Sequence, residues 1–261
     1  MTPETPSRRD DIDDITRQVA TVIGALAQCA LPALLLSRRR PTPRPPETVQ
    51  PAPWAFAIWL PIYGTSFVYA AYQGRRSLRA QPLLREVGRP LAGAYLALGA
   101  WAPLLIKERY WSAQAALAAA AGLAGAARHR LAATDAAGSL TSSQRAVLVA
   151  PVGMLAGWSA AAAGVNLSSM VVGKGPLRTR RSGEIAGAAI LLGLGGVGGL
   201  TVTTDGSASA TGRVYGGTLL WALVGVFFGR RKVSTPLAAT ALVAAIPVVG
   251  ALSRRRRITG P

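Results

Sequence analysis

Cysteine and histidine are almost absent from this chain of 261 residues, which contains only Cys29 and His129. One cysteine excludes an internal disulfide and any paired-cysteine metal or redox site. A lone histidine in an arginine-rich stretch is a poor basis for a metal centre, because zinc and similar ions need several such ligands. The sequence therefore predicts no metal and no cofactor.

Acidic residues are also scarce, and catalytic combinations are missing. Only 11 Asp and Glu stand against 29 Lys and Arg, and Asp135 and Asp205 are solitary acids that we expect in loop turns. No Ser/His/Asp set and no pair of acids within an apolar segment is found. Gly193–Gly198 has the letters G-x-G-x-x-G, but it lies inside an apolar segment with no strand before it, which argues against a nucleotide loop. We predict that the protein is not an enzyme.

Long apolar segments are what the chain has instead. Half of its residues are hydrophobic, 15% are charged and the mean hydropathy is +0.31. About 20 helical residues cross a bilayer, and only helices or closed barrels satisfy their backbone groups in lipid. The segments are too long and too evenly apolar for a barrel. The sequence predicts an all-α polytopic transmembrane bundle of about eight spans, at 17–36, 54–73, 90–106, 111–127, 146–170, 183–200, 214–229 and 233–252.

The connections are polar or rich in proline. Residues 41–53 hold six prolines and predict a stiff, extended link, whereas 107–109 is a tight hairpin and 130–144, 173–182 and 201–213 are longer loops;. A polar segment, 1–16, precedes the first span and a basic tail, 253–261, follows the last.

The net charge of +18 raises the question of nucleic acid, since clustered Lys and Arg neutralise phosphates. The basic residues stand at the ends of the apolar segments, however, as in 37–40, 128–130, 230–232 and 254–257. There they meet anionic lipid headgroups and help to set topology. We predict a multi-pass protein of the cell membrane, with the bilayer and its anionic headgroups as partners and no nucleic acid. The basic residues are too evenly divided to set the orientation, and one of the eight spans is a candidate for an interfacial or re-entrant segment.

Small residues form continuous faces in three spans, at 115–127, 160–164 and 187–199. Faces of Gly and Ala allow helix backbones to approach closely in membranes. We predict that these stretches are packing seams of a compact bundle.

Aromatic residues concentrate at the start of the second span. Phe56, Trp59, Tyr63 and Phe67 are spaced by 3, 4 and 4 residues and share one helix side;. Trp54 precedes them at the position of an interfacial anchor. Anchoring and core packing are the ordinary explanations of such a stripe, but they account less well for the deeper aromatic residues.

The fifth span carries a second cluster. Trp158, Ala162 and Asn166 follow one another at four-residue intervals. An asparagine inside lipid needs a partner, so Asn166 faces either another helix or a ligand. We favour a contact between helices.

Together these two clusters resemble the TspO/MBR family of tryptophan-rich sensory and translocator proteins. Pro51, Trp54, Phe56, Trp59 and Tyr63 resemble the start of that family's second helix, and Trp158, Ala162 and Asn166 resemble a W-x-x-x-A-x-x-x-N run in its fifth. The likeness covers residues 17–170, as a five-helix bundle, and leaves 171–252 as three additional transmembrane helices. It implies an apolar pocket under the first loop that binds a porphyrin, a tetrapyrrole or a sterol-like molecule. Its expected lining is Trp54, Phe56, Trp59, Tyr63, Trp158 and Asn166.

The sequence leaves other functions open. A transporter fits eight spans, but ion-coupled carriers usually place carboxylates within the bilayer, and only Glu184, beside a span end, is close to doing so;. A non-catalytic membrane scaffold, whose small-residue faces bind other helices, is the other alternative. A homodimer is a candidate assembly.

Overall fold

The structure, a computed structural model, describes residues 8–36, 48–173, 179–205 and 209–254, and in these ranges it contains helices and connecting turns only. This confirms the predicted all-α bundle. Seven of its eight helices, all but Tyr110–Ala136, are long and apolar enough to cross a membrane, the second together with the 3₁₀ turn Pro53–Ile58 that precedes it. The eight are α1 (Arg8–Leu36), α2 (Trp59–Gln73), α3 (Pro82–Ile106), α4 (Tyr110–Ala136), α5 (Ser142–Gly173), α6 (Arg180–Thr204), α7 (Ala210–Arg230) and α8 (Thr235–Ser253).

Most helices extend beyond the apolar segments. α1 includes the polar residues from Arg8 onward, and α4 with α5 reduces the predicted loop 130–144 to five connecting residues, 137–141. Helical hydrogen bonds continue through polar sequence, so hydropathy alone underestimates helix length. The described residues do not include 1–7, most of the proline-rich link (41–47), the arginine runs 38–40 and 255–257, or the stretches 174–178 and 206–208.

Local signals explain several helix ends. Proline begins α3 at Pro82, where its missing N–H would have no partner in any case;. The side chains of Thr179 and Ser209 cap α6 and α7 by accepting from the N–H groups of Ser182 and Gly212;. α4 ends before Gly138, whose φ of 70° suits glycine at a helix C-terminus;.

Consecutive helices run in opposite directions, and α5 lies at the centre of the bundle. α5 packs against α2, α4, α6 and α7, and α7 in turn packs against α4, α6 and α8. The central place of α5 agrees with its burial. In its most apolar stretch 61% of the residues are buried, a larger share than in the other helices that could span the membrane. One buried hydrophobic cluster runs through all of these helices.

The small-residue faces pack as predicted. In α6, Gly195 and Gly199 lie against the backbone of Ala244 and Pro247 in α8, where a Cβ would overlap those atoms. In α4, the buried face is formed by Ala113, Leu117, Ala120, Ala124 and Ala127.

Acids that we predicted to be solitary in loops are paired and buried. Arg128, in α4, forms an ion pair with Asp205 at the end of α6, and both residues are buried. Asp135 pairs with Arg145 at 2.8 Å and accepts from the backbone N–H of Thr211 at 3.2 Å. The predicted loop position is wrong for Asp135, because α4 is longer than its apolar segment and includes it, whereas Asp205 does lie in the turn after α6. Neither acid is solitary, and an unpaired charge at such a buried site would be costly;. Arg128 therefore does not face headgroups.

A second polar group joins α1, α2 and α3 at the same end of the bundle. Arg85 donates to both carboxylate oxygens of Asp14 at 3.0 Å. Arg17 donates to the side chain of Gln73, at the end of α2, at 2.6 Å. These contacts hold the far end of α2 in register with its neighbours.

Candidate functional site

A cavity of about 100 Å³ lies among α2, α3, α4 and α5, at the opposite end of the bundle from the buried ion pairs. The chain segment that precedes α2 closes it from above. Its lining residues are Pro51, Phe56, Trp59, Trp101, Leu117, Trp158, Ala161, Ala162, Val165 and Asn166.

The segment before α2 owes its shape to proline. Pro51 and Pro53 have no N–H to donate, and Pro53 begins a 3₁₀ turn, Pro53–Ile58, that leads directly into α2;. At three residues per turn, side chains three apart lie above one another. Phe56 and Trp59 therefore face the same side, and that side is turned toward α5.

Two of the predicted aromatic residues, Phe56 and Trp59, meet at a third, Trp158. The ring centroids of Trp59 and Trp158 are 6.0 Å apart and those of Phe56 and Trp158 are 5.8 Å apart, both edge to face. Trp158 is 3% exposed. Such edge-to-face pairs are the preferred geometry of aromatic rings. The aromatic faces of α2 and α5 thus converge on one apolar hollow.

Two other predicted residues lie beside the cavity and do not line it. Tyr63 stacks on Trp59 with 5.2 Å between centroids, and so supports that ring from behind. Trp54 points the other way and packs edge to face on Trp221 of α7, 5.0 Å away. Phe67, further along α2, is partly exposed on the bundle surface.

Asn166 joins two helices and also borders the cavity. Its Nδ2 donates to Oε1 of Gln114 in α4 at 2.7 Å, and Nε2 of Gln114 donates to the backbone carbonyl of Ala163 at 3.2 Å. The two amides therefore bridge α4 and α5. This is the contact between helices that we favoured.

Sequence reasoning missed several residues of this region, including the smaller lining residues Pro51, Ala161, Ala162 and Val165. Trp101 and Leu117 line the cavity from α3 and α4, and Gln114 holds Asn166. A signal existed for Gln114, since it is a strongly polar side chain in a stretch of alanines and needs a partner in lipid as much as Asn166 does. Trp101 stands close to the end of its span and is indistinguishable, by pattern, from an interfacial anchor.

The chemistry of the lining is apolar and aromatic. Asn166 is its single strongly polar side chain, and no charged residue contributes to it. Among the described residues, no group of three or more His, Cys, Asp or Glu side chains is placed to hold a metal. The arrangement suits contact with a flat apolar molecule and offers neither an acid–base pair nor a nucleophile with its base.

Comparison with known proteins yields one family. The sequence model of the TSPO-like protein family matches residues 19–253, which is most of the chain and extends beyond the five spans of the predicted likeness into α6, α7 and α8. Neither the curated proteins nor the solved structures contain a match. On this match and the bundle of apolar helices, the chain is a multi-pass membrane protein that belongs to the TSPO-like protein family, related to the TspO/MBR proteins.

Proposed function

We propose that this membrane protein binds a flat hydrophobic ligand, of the porphyrin or sterol-like type, in the cavity between α2 and α5. The observation that carries the proposal is the meeting of Phe56, Trp59 and Trp158 around an apolar hollow. Aromatic faces offer a flat ligand large contact areas at a low cost in conformational entropy. Family membership supports a TspO-type protein and leaves the ligand to be established.

The polar groups of the cavity support the same kind of ligand. The indole N–H groups of Trp101 and Trp158 are buried and have no acceptor among the described residues. A buried donor without a partner costs about 1–3 kcal/mol. A ligand carrying one or two acceptors within reach of these donors would relieve that cost. A charged group has no partner in the lining, so carboxylates such as those of a porphyrin would remain outside it.

The cavity is smaller than a drug-sized ligand requires. Its volume is about 100 Å³, whereas pockets for such ligands span roughly 300–1,000 Å³. Binding of a tetrapyrrole therefore requires the covering segment, with Pro51 and Phe56, to move outward. The proposed site is therefore one that opens when the ligand binds, and not a permanently open pocket.

The test uses a substitution that fills part of the cavity and leaves every tryptophan in place. Purified protein in lipid nanodiscs is titrated with protoporphyrin, and quenching of tryptophan fluorescence is followed. Ala162→Leu adds three carbon atoms within the lining and is expected to weaken binding at least tenfold. Ala119→Leu, on an exposed position of α4, is the matched control and should bind like the unaltered protein.

Two outcomes contradict the proposal. One is the absence of saturable quenching in the unaltered protein. The other is equal affinity in the Ala162 and Ala119 variants, since it would place any bound porphyrin outside the cavity. Circular dichroism and gel filtration establish that both variants are folded before the titrations are compared.

A further inference from the structure

We propose that α7 is the latch of this cavity, and that it controls access by holding residues 48–58, the lid, against the bundle. The consequence for ligand uptake rests on the proposed function, whereas the latch itself is a property of the fold. Pro51 and Phe56 of the lid line the cavity, so the position of the lid decides how large the cavity is.

Hydrogen bonds join the lid to α7. The backbone N–H of Ala52 donates to the carbonyl of Gly225, within α7, at 2.8 Å. Nε1 of Trp221, one turn earlier, donates to the carbonyl of Ala55 at 2.8 Å. A third bond, longer at 3.4 Å, runs from Nη1 of Arg230, at the end of α7, to the carbonyl of Thr48 at the start of the lid. The lid contributes a backbone group to each of these bonds, and in lipid such groups have few other partners.

Glycines on α7 make this approach possible. A Cβ at position 225 would lie 2.7 Å from that of Ala55, and one at 229 would lie 2.7 Å from the backbone nitrogen of Ala52. Real Cβ atoms do not approach so closely, hence any side chain at either position would push the lid away. Gly217 of the same helix has no atom within 4 Å of its Cβ position.

An aromatic contact covers the outside of the latch. Trp54 of the lid packs edge to face on Trp221 at 5.0 Å and on Phe228 at 6.0 Å, and all three rings are partly exposed at the bundle surface. On its other side, the lid is joined to α5, where Ser168 Oγ accepts from the backbone N–H of Val49 at 2.8 Å. The lid therefore lies between α5 and α7 and can open only by breaking contacts to one of them.

The contacts to α7 include the lid residues nearest to the cavity. Ala52 and Ala55 lie just before Phe56 in the chain, while the hydrogen bond to α5 is made by Val49, further back. Phe56 itself packs on Trp158 of α5. Release of Ala52 and Ala55 from α7 would thus let Phe56 move away from Trp158 while Thr48 and Val49 remain attached, as at a hinge. This provides the enlargement that a ligand bigger than the cavity requires.

Hydrogen exchange measured by mass spectrometry in nanodiscs tests the latch without any ligand. Trp221→Phe removes one hydrogen bond and retains an aromatic ring against Trp54. Since one hydrogen bond contributes about 0.5–1.5 kcal/mol, exchange of the amides in peptides covering 48–58 should become about two- to twelvefold faster. Gly225→Leu should accelerate it further, and Gly217→Leu should leave it unchanged.

The opposite results overturn the latch. Unchanged exchange in 48–58 for Trp221→Phe would show that α7 does not hold the lid. Equal acceleration throughout α5 and α7 would show a general loosening of the bundle. Trp221→Phe carries the test by itself if Gly225→Leu fails to fold.

Binding kinetics separate this inference from the proposed function. Stopped-flow quenching with protoporphyrin should show faster association and faster dissociation in Trp221→Phe than in the unaltered protein. If the unaltered protein binds no porphyrin but exchange is accelerated as expected, the ligand proposal fails and the latch stands. If porphyrin binds and neither exchange nor rates respond to Trp221→Phe, the ligand proposal stands and the latch fails.

Discussion

At the scale of single residues, several pairs of polar groups inside the bundle join different helices. Asn166 and Gln114 form one such pair between α4 and α5, and Arg128 with Asp205 forms another between α4 and α6. Lipid offers these groups no alternative partner, so each pair specifies which helices are neighbours. A polar residue in an apolar span is therefore informative even where its partner is not identifiable from the sequence.

The amide pair gives a prediction about stability. Asn166→Leu removes the N–H group that donates to Oε1 of Gln114. It should lower the free energy of unfolding by about 1–2 kcal/mol. The double variant Asn166→Leu, Gln114→Leu should be less destabilised than the sum of the single variants, because no unpaired amide remains. Thermal unfolding in detergent, followed by circular dichroism, measures all three.

The same helix, α5, offers a control substitution for this stability test. Ser169 bonds only the backbone carbonyl of Val165, four residues earlier, at 3.1 Å, so Ser169→Ala should have little effect. Strict additivity of the two Leu substitutions would show that the pair contributes no coupling between α4 and α5.

At the scale of elements, glycine positions decide how closely helices pack. Gly195 of α6 faces the backbone of Ala244 in α8, where a Cβ would overlap the carbonyl group. Gly196, the next residue, has no atom within 4 Å of its Cβ position. These two neighbouring glycines therefore differ in their surroundings: Gly195 is packed against α8, whereas the Cβ position of Gly196 faces open space.

This pair of neighbours provides a single-methyl test. Gly195→Ala should lower the free energy of unfolding by about 1–3 kcal/mol, because it forces α6 and α8 apart. Gly196→Ala should be neutral or slightly stabilising, since alanine is the better helix former by up to about 1 kcal/mol. Unfolding in denaturant compares the two, and similar effects of both substitutions would contradict the α6–α8 packing described here.

At the scale of the whole molecule, the number of crossings depends on α4. Over its most apolar stretch, its mean hydropathy falls below that of the other seven helices, because Gln114 near its start and Arg128, His129 and Arg130 near its end are strongly polar. In the structure, however, α4 is a 27-residue helix that packs along both α3 and α5. Its small residues suit close packing within the bundle, and its buried Arg128 is neutralised by Asp205.

We therefore expect eight crossings, with the connections 107–109 and 137–141 on opposite faces of the membrane. Single cysteines are introduced at the exposed positions Lys107 and Ser139, in a Cys29→Ser background, and treated with a membrane-impermeant maleimide in sealed vesicles. One position should react and the other only after permeabilisation. Ser77→Cys, in the connection between α2 and α3, should behave like Ser139→Cys, and equal labelling of Lys107→Cys and Ser139→Cys would show that α4 does not cross.

The predicted division into residues 17–170 and 171–252 stays a prediction. The buried cluster is continuous across both parts, and α7 contacts α5 and the lid. The three last helices are thus packed into the same core as the first five, whichever of the two parts folds first.

The sequence by itself determined that the protein lies in a lipid bilayer, the number of its helices, the family resemblance and the aromatic residues of the second and fifth spans. It could do so because hydropathy, helix period and motif spacing are local properties of the chain. The tertiary structure decided the rest. It turned Trp54 toward α7, paired Asn166 with Gln114, buried Arg128 against Asp205, added Trp101 to the cavity and placed the lid on the glycines of α7. Each of these depends on which helix faces join, and residues more than fifty positions apart in the chain leave no periodic signal of their contact in a single sequence.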